Sequence, residues 1–504
     1  MTQWKLMGST AFVALIAGSA AMADVTAEEV WQSWKDLGTS YGQTLAVESE
    51  VRDGDTLTIT NLSLTTDQDG TKVEITIPEV LFTENGDGAV EVTMSEEIPV
   101  VITTTKAEAG EPSEVTVLVS NPDMVMTVSG TAEELRNDYE ASSIKVALSE
   151  LKGGDSEKVD VTAEVTMTGL TGSSITKGAT DKVTSGTFGA ASVAANIAVK
   201  DGETNGNFNM VGTFADLAGN ATTSLPAATD MKDIMAALKA GFATEGAFTY
   251  GKSDVTFDFA DAESNAKGTG GTEGGSFNFA MDQARLNYGG SAKGAFTTIS
   301  GSDIPFPELT VKYAEAAFNL LVPVGKSDGP SDFALLTKFV DLSVSDEVWA
   351  MFDPALALPR DPITVVLDTK GTAKLNVDLM DTAAMEALAG GAPGELNSLD
   401  VTALQVKVAG AELTGAGALT FDNTDLVTFD GMPTPTGVIE MKLTGANGLL
   451  DKLATMGLIP EDQLMGGRMM LGMFAKVVEG EPDTMTSTLE FKDKGFFANG
   501  MQLK

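Results

Sequence analysis

The sequence predicts a mainly β (α+β) protein, with long antiparallel meander sheets in two β lobes and a few peripheral amphipathic helices. Apolar and polar residues alternate over runs of strand length through most of the chain, which is the pattern of half-buried strands. Acid-glycine sequences separate these runs, and Asp-Gly between alternating stretches is a strong hairpin signal. The hydrophobic content of 43% is too high for a disordered chain, so the apolar residues must form a core.

Residues 1–23 have the pattern of a secretory signal peptide. Lys5 supplies the positive n-region, Leu6 to Ser19 form the apolar stretch, and Ala21 to Ala23 are a small-x-small cleavage site. We therefore expect cleavage after Ala23 and export to the periplasm, with an uncleaved anchor helix as the alternative. No later segment has the roughly 18 consecutive apolar residues of a transmembrane helix.

The chain carries 72 acidic and 32 basic residues, which gives a net charge of −40 at pH 7. Such a balance repels phosphates and anionic headgroups, so nucleic acid is not an expected partner. Cysteine and histidine are absent, which excludes disulfides, Ser-His-Asp and Cys-His catalysis and histidine-ligated zinc. No catalytic, cofactor-binding or metal-ligating residue is assigned, and no cofactor is expected.

An amphipathic helix is expected near the start of the mature chain. Thr26 and Glu29 have the spacing of a capping box, in which each side chain accepts a hydrogen bond from a backbone N–H of the first turn. An apolar stripe with Trp31 on its flank follows at helical spacing and consists of Val30, Trp34, Leu37 and Tyr41. We expect it to dock on the protein's own sheet. A membrane surface is the alternative, but the helix has little positive charge.

The next segment, DGDTLTITNLSLTTDQDGTKVEITIPEVLFTENGDGAVEVTM (53–94), predicts consecutive strands joined by tight turns. The apolar alternation shifts phase between Asn61 and Leu64, which predicts a β-bulge, and shifts again at Pro78. The acid-glycine sequences DGD, DQDG and NGDG could also be calcium ligands. An EF-hand loop starting at Asp67 would need a carboxylate at its twelfth position, which is Pro78. We therefore interpret these sequences as hairpin turns.

Further strands are predicted as far as residue 225, with a short capped helix between Thr131 and Tyr139. Residues 170–225 are rich in small side chains and predict thin strands. A helix at 229–241 is predicted to mark the boundary between an N-terminal lobe with the leading helix (24–228) and a C-terminal lobe (229–504).

The C-terminal lobe is expected to combine strands, short helices and a helical pair at 445–479. The sequence AKGTGGTEGGS (266–276) is interpreted as a flexible loop without a phosphate-binding motif. Short helices are predicted at DEVWAMF and TAAMEALAGGAPGEL. Pro460 is placed in the first turn of the second helix of the pair. The methionines of the pair form a soft surface for adaptable binding or fill an irregular core, and they are Met456, Met465, Met469, Met470 and Met473.

Several segments resemble a family of exported alphaproteobacterial proteins, domain of unknown function 2125. They are MFDPALALPRDPITVVLDTKGTAKL (351–375), the helical pair (445–480), the closing LEFKDKGFFANGMQLK, and the N-terminal stretch from Thr56 to Met94. The resemblance covers most of the mature chain and implies a periplasmic or envelope location in a Gram-negative cell, with no activity or site residues. The Gly-x-x-x-Asn-Gly phrase at 495–500 is also similar to large envelope β proteins that are suspected of handling lipids.

We expect a non-catalytic binding or scaffold protein of the periplasm or envelope, whose sheets hold a lipid or another apolar ligand or which contacts an envelope protein. An outer-membrane β-barrel is a second hypothesis, although tryptophan and tyrosine are too few for two interfacial girdles. A carboxylate-dependent hydrolase is a third, but no acid pair is distinguished by its setting. Arg360 and Asp361, between two prolines, are interpreted as an ion pair inside a rigid loop.

Overall fold

The structure, a computed structural model, describes residues 25–68, 70–104, 113–153, 159–178, 180–227, 229, 231 and 233–504. The predicted signal peptide and cleavage site lie outside the described residues. Of the described residues, 62% lie in strands and 12% in helices. Among the described residues, the strand pairs with a defined register are antiparallel. The predicted mainly β class is confirmed.

The helices are α1 (Ala27–Ser40), α2 (Ile234–Lys239), α3 (Asp346–Ala350), α4 (Thr382–Ala387), α5 (Ala446–Thr455) and α6 (Glu461–Phe474). The strands up to residue 225 are β1 (Thr44–Ala46), β2 (Ser49–Asp53), β3 (Thr56–Gln68), β4 (Thr71–Glu84), β5 (Val90–Met94), β6 (Glu97–Thr104), β7 (Ser113–Ser120), β8 (Val125–Thr131), β9 (Glu134–Lys152), β10 (Val159–Lys177), β11 (Lys182–Asp201) and β12 (Asn207–Leu225). The later strands are β13 (Ala243–Tyr250), β14 (Ser253–Ala260), β15 (Asn265–Thr272), β16 (Gly274–Met281), β17 (Arg285–Gly301), β18 (Leu309–Pro323), β19 (Ser331–Val344), β20 (Ile363–Leu375), β21 (Gly394–Val408), β22 (Ala411–Asp422), β23 (Thr434–Thr444), β24 (Lys476–Val477), β25 (Thr484–Lys492), β26 (Gly495–Ala498) and β27 (Met501–Gln502).

The chain forms two compact units. Of the described residues, the first unit contains those from Val25 to Ser276 together with Ser300–Pro305, and the second contains Phe277–Ile299 and Phe306–Lys504. The helix predicted at 229–241 is α2, which begins at Ile234 after an Asp233 N-cap. It joins β12 to β13, and these two strands pair with each other. The expected lobe boundary at 229 therefore lies inside the first unit, at a connection between neighbouring strands.

Helix α1 closes the core of the first unit. The predicted capping box is present, because Thr26 accepts a hydrogen bond from the Glu29 N–H and Glu29 accepts one from the Thr26 N–H. The helix packs on its own sheet, as expected, and the Trp31 ring lies 6.0 Å from that of Phe82 on β4. Glu84 at the end of β4 also accepts a hydrogen bond from the Ala27 N–H at 2.9 Å, so the first helical turn is tied to the sheet.

The buried side of α1 differs from the predicted stripe by about one position. Trp31, expected on the flank, is 2% exposed, whereas Leu37, expected within the stripe, is 37% exposed. Ala27 and Val30 are buried beside Trp31. Gly38 near the C-terminal end is also buried and lies against Leu45 of β1, since a Cβ there would lie 2.6 Å from the Leu45 side chain. The sheet therefore contacts both halves of the helix, and helical periodicity alone does not show which residues of the stripe are covered.

The phase changes predicted in β3 and β4 occur at facing positions. Inward-facing residues step by three instead of two, from Ile59 to Leu62 on β3 and from Ile77 to Val80 on β4. These residues pair directly across the two strands, so the register is the same on both sides of the step. The predicted β-bulge is therefore wrong, since no extra residue is inserted in either strand. Asn61 instead takes a φ of 48°, a conformation that asparagine tolerates.

A similar step recurs along β9 to β12 of the first unit, where Met167 pairs with Ile144 and with Val193 before the step and Leu170 pairs with Ala141 after it. Positive φ values of 61° and 51° occur within the step at Gly169 of β10 and Asp216 of β12. We call this line of facing steps the seam. In the second unit, Gly294 of β17 and Asp341 of β19 have φ values of 56° and 54° at an equivalent step. Strands β9 to β12 thus change parity without losing their register, whereas the pairing of β19 with β20 shifts register between Phe339 and Leu342.

Two further predictions are wrong. The segment from Thr131 to Tyr139 ends one strand and begins the next, since Thr131 pairs with Glu134 at the β8–β9 hairpin. The hydrogen bond expected of a helix cap is present, since the Thr131 hydroxyl accepts one from the Glu134 N–H. It closes a hairpin turn and does not begin a helix. The glycine-rich segment 266–276 lies almost entirely in β15 and β16 and is not a loop. On β15, Gly268 faces Phe257 and Gly270 faces Val255 of β14, and an aromatic residue opposite a glycine stabilises the glycine in a strand.

In the second unit, β17 to β23 follow one another as antiparallel neighbours, and β25, β26 and β27 continue from β23. The predicted short helices are α3 and α4, and the predicted helical pair is α5 and α6. Trp349 of α3 forms a buried cluster with Leu358 and Ala409, against which side chains of α5 pack. Pro460 is the N-cap of α6, one position before its predicted place.

Candidate functional site

An apolar face extends over β9, β10, β11, β12, β14 and β15 in the first unit. Residues that pair across antiparallel strands point to the same side of a sheet, so the registers assign each row to one face. Its four rows are Val161-Val199-Phe208-Phe259-Ala266, Ala163-Ile197-Met210-Phe257-Gly268, Val146-Val165-Ala195-Gly212-Val255-Gly270, and Ile144-Met167-Val193-Phe214-Ser253. We call this surface the apolar face.

The opposite side of the same strands is polar and charged. One row there runs Thr162-Ala198-Asn209-Asp258-Lys267. Along β14 the two sides alternate strictly: Asp254, Thr256 and Asp258 are exposed, while Val255 and Phe257 are half-buried. The two aspartates of β14 therefore lie on the polar side, opposite to Val255 and Phe257.

The apolar face is continuous with the core but less covered. Met167 and Ile144 pack against the buried cluster around Phe82. One row further along, Val146 and Val165 are 38% and 40% exposed. Helix α1 lies over β3 and β4 instead. The core of the first unit therefore grades into an accessible apolar surface.

The second unit has an equivalent surface. Two of its rows are Ala316-Phe339-Val365-Val406-Leu413-Leu443-Met485 and Leu320-Leu335-Thr369-Val401-Gly417-Ile439-Leu489. At the β18–β19 end of these rows, Leu320 and Phe339 are 46% and 42% exposed. Gly371 lies directly opposite Phe333, and a Cβ at that glycine would lie 2.6 Å from the Phe333 ring. The absence of a side chain there lets the ring lie flat on the neighbouring strand.

The methionines of the helical pair fall into two groups. Met456 packs beside the Trp349 cluster and therefore has a core role. The four methionines of α6 are largely exposed, by 70% at Met465, 68% at Met469, 59% at Met470 and 44% at Met473. Filling of an irregular core therefore accounts for Met456 but not for α6.

Arg360 lies in a loop, as predicted, but its partner is different. Its guanidinium pairs with Asp346 at the start of α3 and lies 5.9 Å from the centre of the Trp349 ring. Arg360 makes no ion pair with Asp361, whose side chain is exposed, so the predicted Arg360–Asp361 ion pair is wrong. Asp346 lies 14 residues before Arg360, so the charges of adjacent residues alone could not reveal this partner.

Asp353, which no sequence motif singles out, organises that loop. It is fully buried and accepts backbone N–H groups of Ala357 at 2.8 Å and Leu358 at 2.9 Å. Burial raises the pKa of this carboxyl, but the two N–H donors and the nearby charge of Arg360 outweigh burial and lower the pKa below its usual value. An ionised acid with these partners stabilises a loop, and its contacts are all structural.

The acid-glycine sequences are turns, as predicted. Gly54, Gly70 and Gly88 have φ values of 56°, 87° and 84°, which glycine adopts at no steric cost. The strands on either side of each turn pair with one another. Asp69 of the second turn lies outside the described residues. Within the described part of the chain, no cluster of three or more acidic residues has a geometry suited to a metal ion.

Among the described residues, no helix has the length and apolar character needed to cross a membrane. No family model, curated protein or solved structure matches the chain. The apolar face was accessible to sequence reasoning only as separate alternating runs. The face is continuous only because the strands pair in a particular register. A single sequence does not show which residues of two strands pair, so it does not show that the runs join into one face.

Proposed function

We propose that this protein is a non-catalytic, exported binding protein that holds the acyl chain of a lipid on the apolar face. The observation that carries the proposal is the set of four paired rows whose side chains are apolar yet half-exposed. Exposing a continuous apolar surface to water costs free energy. Surfaces of this kind therefore commonly mark sites where a ligand or a partner covers them.

The dimensions of the apolar face suit an extended chain. Six neighbouring strands at a spacing of about 4.8 Å give a path of about 24 Å across the rows. Each methylene group removed from water contributes about 0.8 kcal/mol, so a long acyl chain gains substantial affinity even on an open surface. The charged side of the sheet disfavours the same ligand, which restricts binding to one side.

A periplasmic or envelope location is part of the proposal. It rests on the signal-peptide pattern of residues 1–23 and on the resemblance to exported alphaproteobacterial proteins of domain of unknown function 2125. A lipid, or an envelope protein that delivers or receives one, is the corresponding partner.

The test is native mass spectrometry with lipid extraction on protein isolated from its own periplasm. We expect wild-type protein to retain lipid. The double variant Ala163→Glu/Val255→Glu places two carboxylates on the apolar face and is expected to lose most of it, because a charge cannot be buried against an acyl chain without a partner.

The matched control is Thr162→Glu/Thr256→Glu, which adds the same charge one residue away on the polar side of the same two strands. It should retain lipid at the wild-type level. Wild-type protein without lipid, or equal retention by both double variants, would contradict the proposal. Circular dichroism and thermal unfolding of both variants would show whether a loss reflects misfolding.

A further inference from the structure

The two ends of the apolar face differ in their surroundings. At one end the face runs into the buried core, because Ile144 and Met167 pack against the cluster around Phe82. At the other end, the row from Val161 to Ala266 is followed by the β11–β12 and β14–β15 turns. A polar headgroup cannot be buried in an apolar core without partners. The headgroup of a lipid bound on this face must therefore lie at the turn end.

Acidic residues occupy the turn end. Asp201 pairs with Val159 and lies on the same side of the sheet as the apolar rows. Asp261 of the neighbouring turn lies beside Gly206, where an added Cβ would be 3.7 Å from the Asp261 side chain. The same two turns contain two exposed glutamates. We call these four acids the acidic rim, and they are Asp201, Glu203, Asp261 and Glu263.

Hydrogen bonds fix the two aspartates of the acidic rim. Asp261 accepts hydrogen bonds at 2.8 Å from the backbone N–H groups of Glu263 and Ser264, and these donors lower the pKa of its carboxyl below the usual value. Asp201 accepts a hydrogen bond from the Thr204 hydroxyl at 2.6 Å. The acidic rim therefore presents negative charge at a fixed position at neutral pH.

The four rows of the apolar face offer no cation to an anionic headgroup, since none of their side chains is charged. Three lysines of the same strands lie on the polar side and face acids there. They are Lys145 at 2.5 Å from Glu164, Lys200 opposite Asp160, and Lys267 opposite Asp258. Proteins recognise phosphate groups chiefly with arginine and lysine. A lipid with net negative charge would instead meet the acidic rim.

We propose that the lipid on the apolar face is a zwitterionic phospholipid with a protonated amine in its headgroup, of the phosphatidylethanolamine class, and that this amine lies at the acidic rim. This inference rests on the acyl-chain proposal and adds the headgroup and its orientation. The amine is attracted by the carboxylates, and a lipid without net charge is not repelled by a chain of net charge −40. An anionic lipid with the same acyl chains makes the same apolar contacts but is repelled.

The test is a competition between two lipids for the full protein after its own lipid has been removed. Dioleoyl-phosphatidylethanolamine and dioleoyl-phosphatidylglycerol are supplied in equal amounts in a neutral detergent, and native mass spectrometry measures the ratio of the bound lipids. In about 20 mM ammonium acetate, we expect the ethanolamine lipid to be preferred by about fivefold. In about 500 mM ammonium acetate the ratio should fall towards one, because the screening length shortens from roughly 20 Å to 4 Å.

The rim variant is Asp261→Asn/Glu263→Gln, which removes two charges and keeps the turn, since asparagine caps a turn as aspartate does. We expect it to lower the preference by about twofold or more. The matched control is Asp254→Asn/Asp258→Asn, which removes the same charge from the polar side of β14 and should keep the wild-type ratio. Circular dichroism of both variants checks their folding.

Equal binding of the two lipids by wild-type protein, a preference for the glycerol lipid, or an equal fall in the two double variants would overturn this inference and leave acyl-chain binding intact. If wild-type protein bound neither lipid, the acyl-chain proposal itself would be overturned, and the headgroup assignment with it.

Discussion

Tyr139 of β9 lies on the buried side of the seam, and its ring covers the glycine opposite. A Cβ at Gly172 would lie 2.1 Å from the ring, so glycine is required for this contact. The Tyr139 hydroxyl is buried and has no hydrogen-bond partner among the described residues. Burial raises the pKa of this phenol from 10.0 to about 12. The ring, and not the hydroxyl, therefore accounts for tyrosine's contribution here.

We predict that Tyr139→Phe leaves the free energy of unfolding at pH 7 unchanged or raises it by roughly 1 kcal/mol, because a buried hydroxyl without a partner is removed. The effect on alkaline stability has a definite sign. Between pH 10 and 12 the unfolded chain releases the proton while the folded chain keeps it, so stability falls as pH rises. The variant should lose less stability over this range. Urea unfolding at pH 7, 10 and 11 measures both effects, and a destabilised variant at pH 7 would reveal an unseen hydroxyl partner.

At the scale of strands, the phase changes of β3 and β4 show what the sequence could and could not predict. The phase changes near Asn61 and at Pro78 are visible in the alternation, but their pairing is not. A change in which residues face inward along one strand suggests a bulge. Only the structure shows that the paired strand changes at the facing residue, so that no residue is inserted. The same lack of long-range information led to the helix predicted at 131–139, where a capping signal closes a hairpin, and to the loop predicted at 266–276, where Gly268 faces Phe257. Hairpin turns and the capping box were predictable because their chemistry is local.

The seam predicts a distinctive substitution pattern at Asp216, which is exposed and has a φ of 51°. Asp216→Gly should preserve stability, because glycine adopts this conformation freely. Asp216→Val should cost about 1–2 kcal/mol or more, since a β-branched residue is strained at positive φ. Thermal or urea unfolding of the two variants provides the measurement. The neighbouring exposed position Thr213 is a suitable control, where Thr213→Val should be tolerated in extended backbone. Equal tolerance of valine at both positions would show that the seam carries no conformational constraint.

For the whole molecule, the excess of acidic charge opposes folding. Ion pairs such as Lys338–Glu315 at 2.7 Å are partly exposed, and pairs of this kind contribute little. With 72 acidic residues against 32 basic ones, repulsion among the surplus carboxylates outweighs the attraction within these pairs. The charge keeps the polar side of the sheets hydrated, which offsets the exposure of the apolar side.

We therefore predict that added salt stabilises the protein. Raising NaCl from about 10 mM to about 150 mM shortens the screening length from roughly 30 Å to 8 Å. The melting temperature should rise by on the order of a few °C, since screening weakens repulsion more than it weakens the surface pairs. Sucrose at matched osmolality is the control for general solute effects. A melting temperature that falls with NaCl would mean that surface ion pairs outweigh repulsion.

The short strands of each unit have a consequence for self-association. β1 and β2 have three and five residues and both pair with β3, while β27 has two residues and pairs with β26. Unpaired backbone groups on an edge strand are a template for another chain, and short or charged edges limit that risk. The SEVRD sequence of β2 supplies such charges. Long strands such as β11 are paired with neighbours on both sides. The short edge strands β1, β2 and β27 therefore offer few free N–H and C=O groups to a second molecule.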